Sequence, residues 1–285
     1  MKNSDVKISD YLEWVKGCHE VKYGPNDEFS CYQDFVYFRG HASISWDLVP
    51  SLFRDYGRRH DEHKMLFQAS NMLWMELSDC KSELEKMIRL QHYGLHTRLL
   101  DVTYNPLVAL YFACQMPSKK EDEKDGVIYC GYKEETNNKV SQTIAEYVFN
   151  HDTISINMDE LKNICEKNEV KPEDMESIYF ITPPLNNPRI SIQNGAFIMS
   201  PLLKKNAEVP FNNAGYAYIK GEMKTAFEKQ FTIPEISKLD ILKELDYLGF
   251  NKATIYADIS NKLQYINEKE HNEVWKALDI SDLTA

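Results

Sequence analysis

Arginine is scarce in this 285-residue chain, and its distribution is uneven. Six of the seven arginines, all except Arg189, fall between Arg39 and Arg98, whereas the 26 lysines run the full length. Basic charge is short overall, with 33 Lys and Arg against 44 Asp and Glu and a formal net charge of −11. That balance argues against nonspecific binding along a nucleic-acid backbone, which needs a broad basic surface. It leaves room for a local basic cleft. A negative shell around a positive pocket admits a small anion and repels a long polyanion.

Other absences narrow the field. The six cysteines, Cys18, Cys31, Cys80, Cys114, Cys130 and Cys165, include no Cys-x-x-Cys pair, so neither a zinc site nor a redox motif is indicated, and free thiols in a reducing compartment are expected. No phosphate loop, Gly-x-Gly-x-x-Gly, His-Glu-x-x-His or Gly-x-Ser-x-Gly occurs. Kinase, dehydrogenase, zinc-protease and serine-hydrolase chemistry have no support. The segment Met1 to Asp10 lacks the apolar core of a signal peptide. The longest apolar run, Leu107 to Cys114, is far below the roughly 20 residues that span a bilayer. A soluble, cytoplasmic protein without a membrane partner is expected, and no metal is implied.

What is present is 43% apolar and 27% charged, an ordinary globular composition. Tyr11, Trp14, Val15 and Cys18 recur at helical spacing, and Phe35 to Phe38 reads as a buried strand ending at Arg39-Gly40. A helical pattern runs from Arg59 to Tyr93 and stops at Gly94. Asn105-Pro106 opens a helix from Leu107 to Gln115, since Asn caps free amides and Pro is pre-shaped for the first helical position. Lys119 to Gly126 reads as a solvated loop and Asp159 to Lys167 as a polar helix. Strands are predicted over Val127 to Tyr132, Ser177 to Ile181, Arg189 to Met199, Tyr216 to Ile219 and Gln230 to Ile233, and closing helices over Leu239 to Leu248 and Ile259 to Ile266. Helices gathered early and strands gathered late predict an α+β fold with mixed or antiparallel sheets and an inserted helical segment. One domain is expected over residues 1–285, with a helical lead over 1–33, the helical segment over 59–93 and the closing helices within 239–285.

Three blocks carry polar chemistry. In Tyr37-Phe38-Arg39-Gly40, a guanidinium at a strand end offers a planar fork for phosphate or carboxylate oxygens, and Gly40 lets the backbone approach a ligand. Pairing of Arg39 with a carboxylate is the competing reading, and for Arg54, Arg58 and Arg59 it is the preferred one. The second block runs from Arg89 to Pro106 and compresses Gln91, His92, His96, Thr97, Arg98, Asp101, Thr103 and Asn105 between two apolar helices. Buried polar groups need partners, so this density points to an internal network, a ligand site, or both. Arg98 and Asp101 are the natural salt bridge, while Gln91, His92 and Thr97 are ligand candidates. In the third block, Asn194-Gly195 is a hairpin signal, and Arg189 and Gln193 would share one strand face.

Together these blocks resemble the FRG-domain family, whose name stands here as Phe38-Arg39-Gly40. Trp46 and Pro50-Ser51-Leu52-Phe53-Arg54 extend the first match, and Gln91-His92-Tyr93-Gly94, Thr97-Arg98-Leu99-Leu100-Asp101, Asn105-Pro106 and Ala109 to Ala113 form the second. Arg189, Gln193, Gly195 and Phe197 form the third, with a weaker tail at Leu245, Gly249 and Ile255 to Asp258. His96 stands where the family usually has proline, and Val102 where it often has tryptophan. The family's organisation is similar to the ADP-ribosyltransferase fold, which implies NAD as substrate and a bacterial toxin or phage-defence effector modifying nucleic acid or protein. An antitoxin or regulatory protein is the implied partner. By that analogy Arg39 holds the nicotinamide ribose or a phosphate, Thr97 and Thr103 supply hydroxyls, Tyr111 is the aromatic beside the nicotinamide, and Gln193 takes the late-strand position. A carboxylate usually stands there, and Asp101 is the nearest candidate to replace its charge. Two other readings stay open: a nonenzymatic module binding a nucleotide or partner in the same cleft, and a metal-independent nuclease with His92 or His96 as acid or base and Arg98 on the phosphate.

Overall fold

A computed structural model of the chain describes residues 5–22, 30–32, 36–55, 61–117, 123–132, 138–153, 156–183, 188–203, 213–256, 259 and 261–267. The strands are β1 (Glu20–Lys22), β2 (Ser30–Tyr32), β3 (Val36–His41), β4 (Leu99–Thr103), β5 (Gly126–Tyr132), β6 (Tyr179–Ile181), β7 (Gly195–Met199) and β8 (Lys229–Ile233). The helices are α1 (Ile8–His19), α2 (Glu62–Met72), α3 (Glu83–His92), α4 (Pro106–Cys114), α5 (Asn138–Asn150), α6 (Met158–Lys167), α7 (Pro188–Gln193), α8 (Asn213–Thr225), α9 (Glu235–Tyr247) and α10 (Lys252–Ile255). Residues 261–267 are also helical. β1 and β2 form a small hairpin sheet, and the other six strands form one antiparallel sheet in the order β6-β7-β4-β3-β5-β8. The fold is α+β.

The centre of that sheet is barely joined. β3 registers six residues against β5, and β4 registers five against β7, but β3 and β4 meet only at Phe38 opposite Thr103. The sheet is thus two antiparallel halves, β6-β7-β4 and β3-β5-β8, that splay apart beyond one shared pair. Backbone groups in a splay lose their ladder partners and must find others.

Three apolar clusters hold the halves in place. On one face of the β3 half, Phe38 and Ile128 pack with Tyr11 and Cys18 of α1, Ala109 to Cys114 of α4 and Ile241 of α9. On the same face of the β4 half, Leu99, Phe197 and Met199 pack under α2, α3, α5 and α6. The opposite face, with Tyr37, Leu100, Val102 and Ile198, is covered by the 3-10 turn Ser51–Arg54 and by Ile219 and Met223 of α8.

Several elements form as their residues dictate. Asn105 Oδ1 accepts the Leu107 amide at 3.0 Å and Pro106 opens α4, which is buried on nearly every side. Gly94 closes α3 at φ +98, a left-handed position. Gly40 serves a different end from the one its sequence position suggests. A Cβ there would stand 1.9 Å from the Ala109 carbonyl oxygen, so what approaches the backbone is α4, not a ligand.

Three segments depart from the sequence reading. Residues 188–193 are a short helix and only Gly195–Met199 is strand, with Asn194 at φ +45 linking them, so Asn194-Gly195 closes no hairpin. The expected strand at Tyr216 to Ile219 lies inside α8, whose Ile219 and Met223 are buried one helical turn apart. α5, given no element by the sequence reading, is central, with Val140, Ile144, Tyr147 and Val148 buried. The loop at Lys119–Asp122 lies outside the described residues. Among the described residues no helix is long and apolar enough to cross a membrane.

Candidate functional site

The splay between β3 and β4 is filled by Arg39. Strand alternation puts Arg39 on the face of Tyr37 and His41, and Asp101 on the opposite face with Phe38 and Thr103. The guanidinium crosses the gap, and its Nη1 donates to the Asp101 carbonyl oxygen at 2.5 Å, standing in for the missing ladder bond. Its Nε donates to His41 Nε2 at 2.8 Å. Because Nε2 accepts, the proton of neutral His41 sits on Nδ1. Burial, and then the charges of Arg39 and Arg54, push the His41 pKa well below its usual value, so the ring is neutral.

Arg54 is the second cation here, and the expectation that it pairs with an acidic residue is not met. Its Nε and Nη2 both donate to the Val49 carbonyl at 3.2 Å. Among the described residues, neither Arg39 nor Arg54 forms an ion pair with a carboxylate. Burial lowers the Arg39 pKa to about 10, with Arg54 adding repulsion and Asp101 opposing it. Burial likewise lowers Arg54, again opposed by Asp101. Both remain charged at neutral pH. Two guanidiniums close enough to repel, with donors to spare, have the chemistry to receive an anion.

The other face of the splay holds a recess of about 90 Å³ lined by Gln91, His92, Asp101, Ile190, Gln193 and Phe197. Its polar wall is a directed chain. The Thr97 hydroxyl donates to Gln91 Oε1 and accepts the Leu99 amide at 3.2 Å. That fixes the Gln91 amide, whose Nε2 donates to Asp101 Oδ1 at 2.8 Å. The Asp101 carboxylate is otherwise exposed and is held as an acceptor at the rim. Thr97 is buried and positions Gln91 without reaching the surface. On the far side, Gln193 Nε2 donates to the Ile255 carbonyl at 3.1 Å, leaving Oε1 as its remaining acceptor.

Gln91, His92, Asp101 and Gln193 therefore converge, with Arg39 joined through the Asp101 backbone. Other sequence candidates lie elsewhere or are committed. Arg98 is fully buried and bidentate to Glu62, with Nε to Oε1 at 2.7 Å and Nη2 to Oε2 at 2.5 Å. Its Nη1 donates to the Pro201 carbonyl at 3.0 Å. The expected Arg98–Asp101 bridge does not form, and this leaves Asp101 free of it. Tyr111 is buried in the α1–α4–α9 cluster, edge-on to Phe112 and Tyr256, and does not reach the recess. The Thr103 hydroxyl donates to the Gln193 carbonyl at 2.5 Å, which fastens α7 to the end of β4, and accepts the Asn105 amide at 2.9 Å, while Asn105 caps α4. Arg189 lies in α7, so it shares no strand face with Gln193, and its side chain is outside the described residues, as are Arg58 and Arg59. Arg89 is bonded to Asp79.

His41 was missed by the sequence reading, and Arg54 was assigned there to an acidic partner that it does not have among the described residues. The alternation Tyr37, Arg39, His41 puts His41 on the arginine's face and was readable, whereas nothing local to Arg54 says which carboxylates it can reach. Among the described residues no group of His, Cys, Asp and Glu is arranged to hold a metal. Residues 34–122, which include Arg39, Arg54, Gln91 and Asp101, match the family model of the FRG domain. No curated protein and no solved structure matches the chain.

Proposed function

Because the chain carries an FRG domain over residues 34–122, we propose that the splay between β3 and β4 holds NAD, and that the protein is an ADP-ribosyltransferase with a fold of that kind. The observation that carries this reading is the pair Arg39 and Arg54, two charged guanidiniums without carboxylate partners among the described residues, beside the exposed Asp101 carboxylate on the other side of the same gap. NAD has the matching order of charge, a pyrophosphate at its middle and a cationic nicotinamide riboside at one end. Arg39 and Arg54 take the pyrophosphate. The recess, with room for about one ring or sugar, takes the ribose that carries nicotinamide.

The chemistry follows from that placement. The bond between nicotinamide and the ribose carbon breaks with its electron pair leaving on nicotinamide, and positive charge develops on the sugar. Asp101, fixed by Gln91 and backed by Thr97, supplies the stabilising negative charge that Gln193 cannot. Gln193 Oε1 accepts from a ribose hydroxyl and orients the sugar. An acceptor nucleophile, on nucleic acid or protein, then forms its bond to the same carbon and releases its proton. A toxin or phage-defence role and control by an antitoxin or regulatory partner belong to this reading.

Nicotinamide release from labelled NAD, with the purified chain alone and with cell lysate as acceptor, is the test. Release is expected from the wild type and absent in Arg39→Ala, with Asp101→Asn slowed on the order of 100-fold, as loss of one fixed electrostatic contact predicts. No release by the wild type in either setting, together with saturable ADP-ribose binding that needs Arg39, would replace the enzyme with a nonenzymatic nucleotide-binding module.

A further inference from the structure

Five tyrosines, Tyr37, Tyr104, Tyr129, Tyr216 and Tyr218, stand in the apolar cluster on the Arg39 face of the sheet. Four of their hydroxyls are bonded: Tyr37 to the Ala226 carbonyl at 2.5 Å, Tyr218 to the Glu176 carbonyl at 2.6 Å, Tyr216 to the Asp47 carboxylate, and Tyr104 with the Thr182 hydroxyl at 3.3 Å. The Tyr129 hydroxyl has no hydrogen-bond partner among the described residues. We propose that Tyr129 is a third donor of the anion site, and that its hydroxyl donates to a phosphate oxygen of the ligand gripped by Arg39 and Arg54. The proposal rests on the reading of those two guanidiniums as an anion site, not on NAD as the occupant.

Strand register sets Tyr129 beside Arg39. The two residues are direct partners across β3 and β5, so their side chains leave the sheet on one face, with Cβ atoms about 5 Å apart. Burial raises the Tyr129 pKa above its ordinary value near 10, the Arg39 charge works against that rise, and Asp47 adds to it. The phenol is therefore protonated at neutral pH, able to donate, and within electrostatic reach of the guanidinium. Its ring is fixed, edge-on to His41 at 5.4 Å between centroids and tilted on Phe227 at 5.8 Å. His41 is the imidazole that accepts from Arg39, so one residue positions both the phenol and the guanidinium.

The carboxylate that Tyr129 senses is already engaged. Asp47 accepts the Tyr216 hydroxyl at Oδ2 and pairs through Oδ1 with Lys220 at 2.5 Å, so α8 holds it and a cation offsets its charge. A half-buried phenol ordinarily finds a partner. This one stands instead beside two guanidiniums that have donors to spare, and an anion satisfies all three groups at once. The donors come from β3, from the turn Ser51–Arg54 and from β5, and so approach from separate directions. A carboxylate is matched by a single planar fork, whereas a phosphate offers oxygens in several directions and suits a site of this kind. Tyr129 lies beyond the segment matched to the FRG domain, and its placement gives β5 a part in the site.

Calorimetric titration of the full chain with inorganic pyrophosphate and with ADP-ribose tests this directly. The wild type should bind pyrophosphate saturably. Tyr129→Phe, which keeps the ring and removes only the hydroxyl, should weaken pyrophosphate and ADP-ribose by about ten- to a hundredfold, as loss of one hydrogen bond to a charged group implies, with no fall in the thermal unfolding midpoint. Tyr218→Phe, on the same face but with a bonded hydroxyl, should do the reverse, lowering the midpoint and leaving pyrophosphate affinity unchanged. Absent pyrophosphate binding by the wild type, wild-type pyrophosphate affinity in Tyr129→Phe, or a midpoint that falls as far in Tyr129→Phe as in Tyr218→Phe would overturn the proposal. Pyrophosphate binding that needs both Arg39 and Tyr129, without binding of ADP-ribose, would support it and count against the NAD reading alone.

Discussion

Arg39 and His41 are a coupled unit. The imidazole accepts from the guanidinium only while neutral, and protonation would place three positive charges, His41, Arg39 and Arg54, around one gap. The folded pKa of His41 lies well below its ordinary value near 6.5, so the unfolded chain binds more protons at mildly acid pH. The stability this group confers is fully present above about pH 6.5 and is lost as pH falls through the folded value, at up to about 1.4 kcal/mol per pH unit. Thermal unfolding between pH 7.5 and 5 should show a steeper loss for the wild type than for His41→Gln, which keeps an acceptor but cannot titrate. Parallel curves would mean that the ring is not held as described. At this scale the sequence was half legible. Arg39 stands out by scarcity and by its strand end, but whether a guanidinium is spoken for depends on which carboxylates the fold brings near. Arg54 and Arg98 show this in opposite senses: Arg54, expected to be paired, is not, and Arg98, offered as a ligand contact, is consumed by Glu62 from 36 residues away.

The Arg98–Glu62 pair ties two elements, since it fastens the start of β4 to the start of α2 beneath the helical layer, and both side chains are about 1% exposed. Breaking it leaves an uncompensated buried charge, for which about 3–5 kcal/mol is the usual cost, whereas replacing both partners with apolar residues is often neutral. Arg98→Met and Glu62→Met should each lose about that much in denaturant unfolding, and the double variant should regain most of it. Additive losses would show that the pair does not act as a unit. Elements were legible where one signal dominated. The Asn105-Pro106 cap, the Gly94 stop and the apolar α4 each fixed a boundary. The misreadings came from competing signals. Arg189-Ile-Ser-Ile-Gln alternates like a strand, but Pro188 starts a helix there and Asn194 ends it. Tyr216 to Ile219 has strand-forming residue types, yet Ile219 and Met223 follow helical spacing and packing decides. α5 was readable from Val140, Ile144, Tyr147 and Val148, and was passed over.

Across the whole molecule, the divided sheet sets what a ligand must do. The six strands are packed under helices on both faces, yet the halves share one registered pair, Phe38 with Thr103, and beyond it the Arg39 side chain spans the gap. No local pattern in the sequence announces this, because each strand is well formed by itself and the gap exists only in their pairing. The net charge of −11 around two guanidiniums favours a compact anion over a polymer. A dinucleotide held by Arg39 and Arg54 on one side and at Asp101 on the other would brace both halves, and a ligand that binds the folded chain alone suppresses the opening through which amides exchange. Hydrogen exchange with and without saturating ADP-ribose should therefore show added protection on both Arg39 to His41 and Leu100 to Val102, and Arg39→Ala should lose it on both. Protection on β4 alone would place the ligand in the recess without the guanidiniums, and protection on β3 alone would place it on the guanidiniums without Asp101. Either one-sided pattern contradicts a ligand that straddles the sheet.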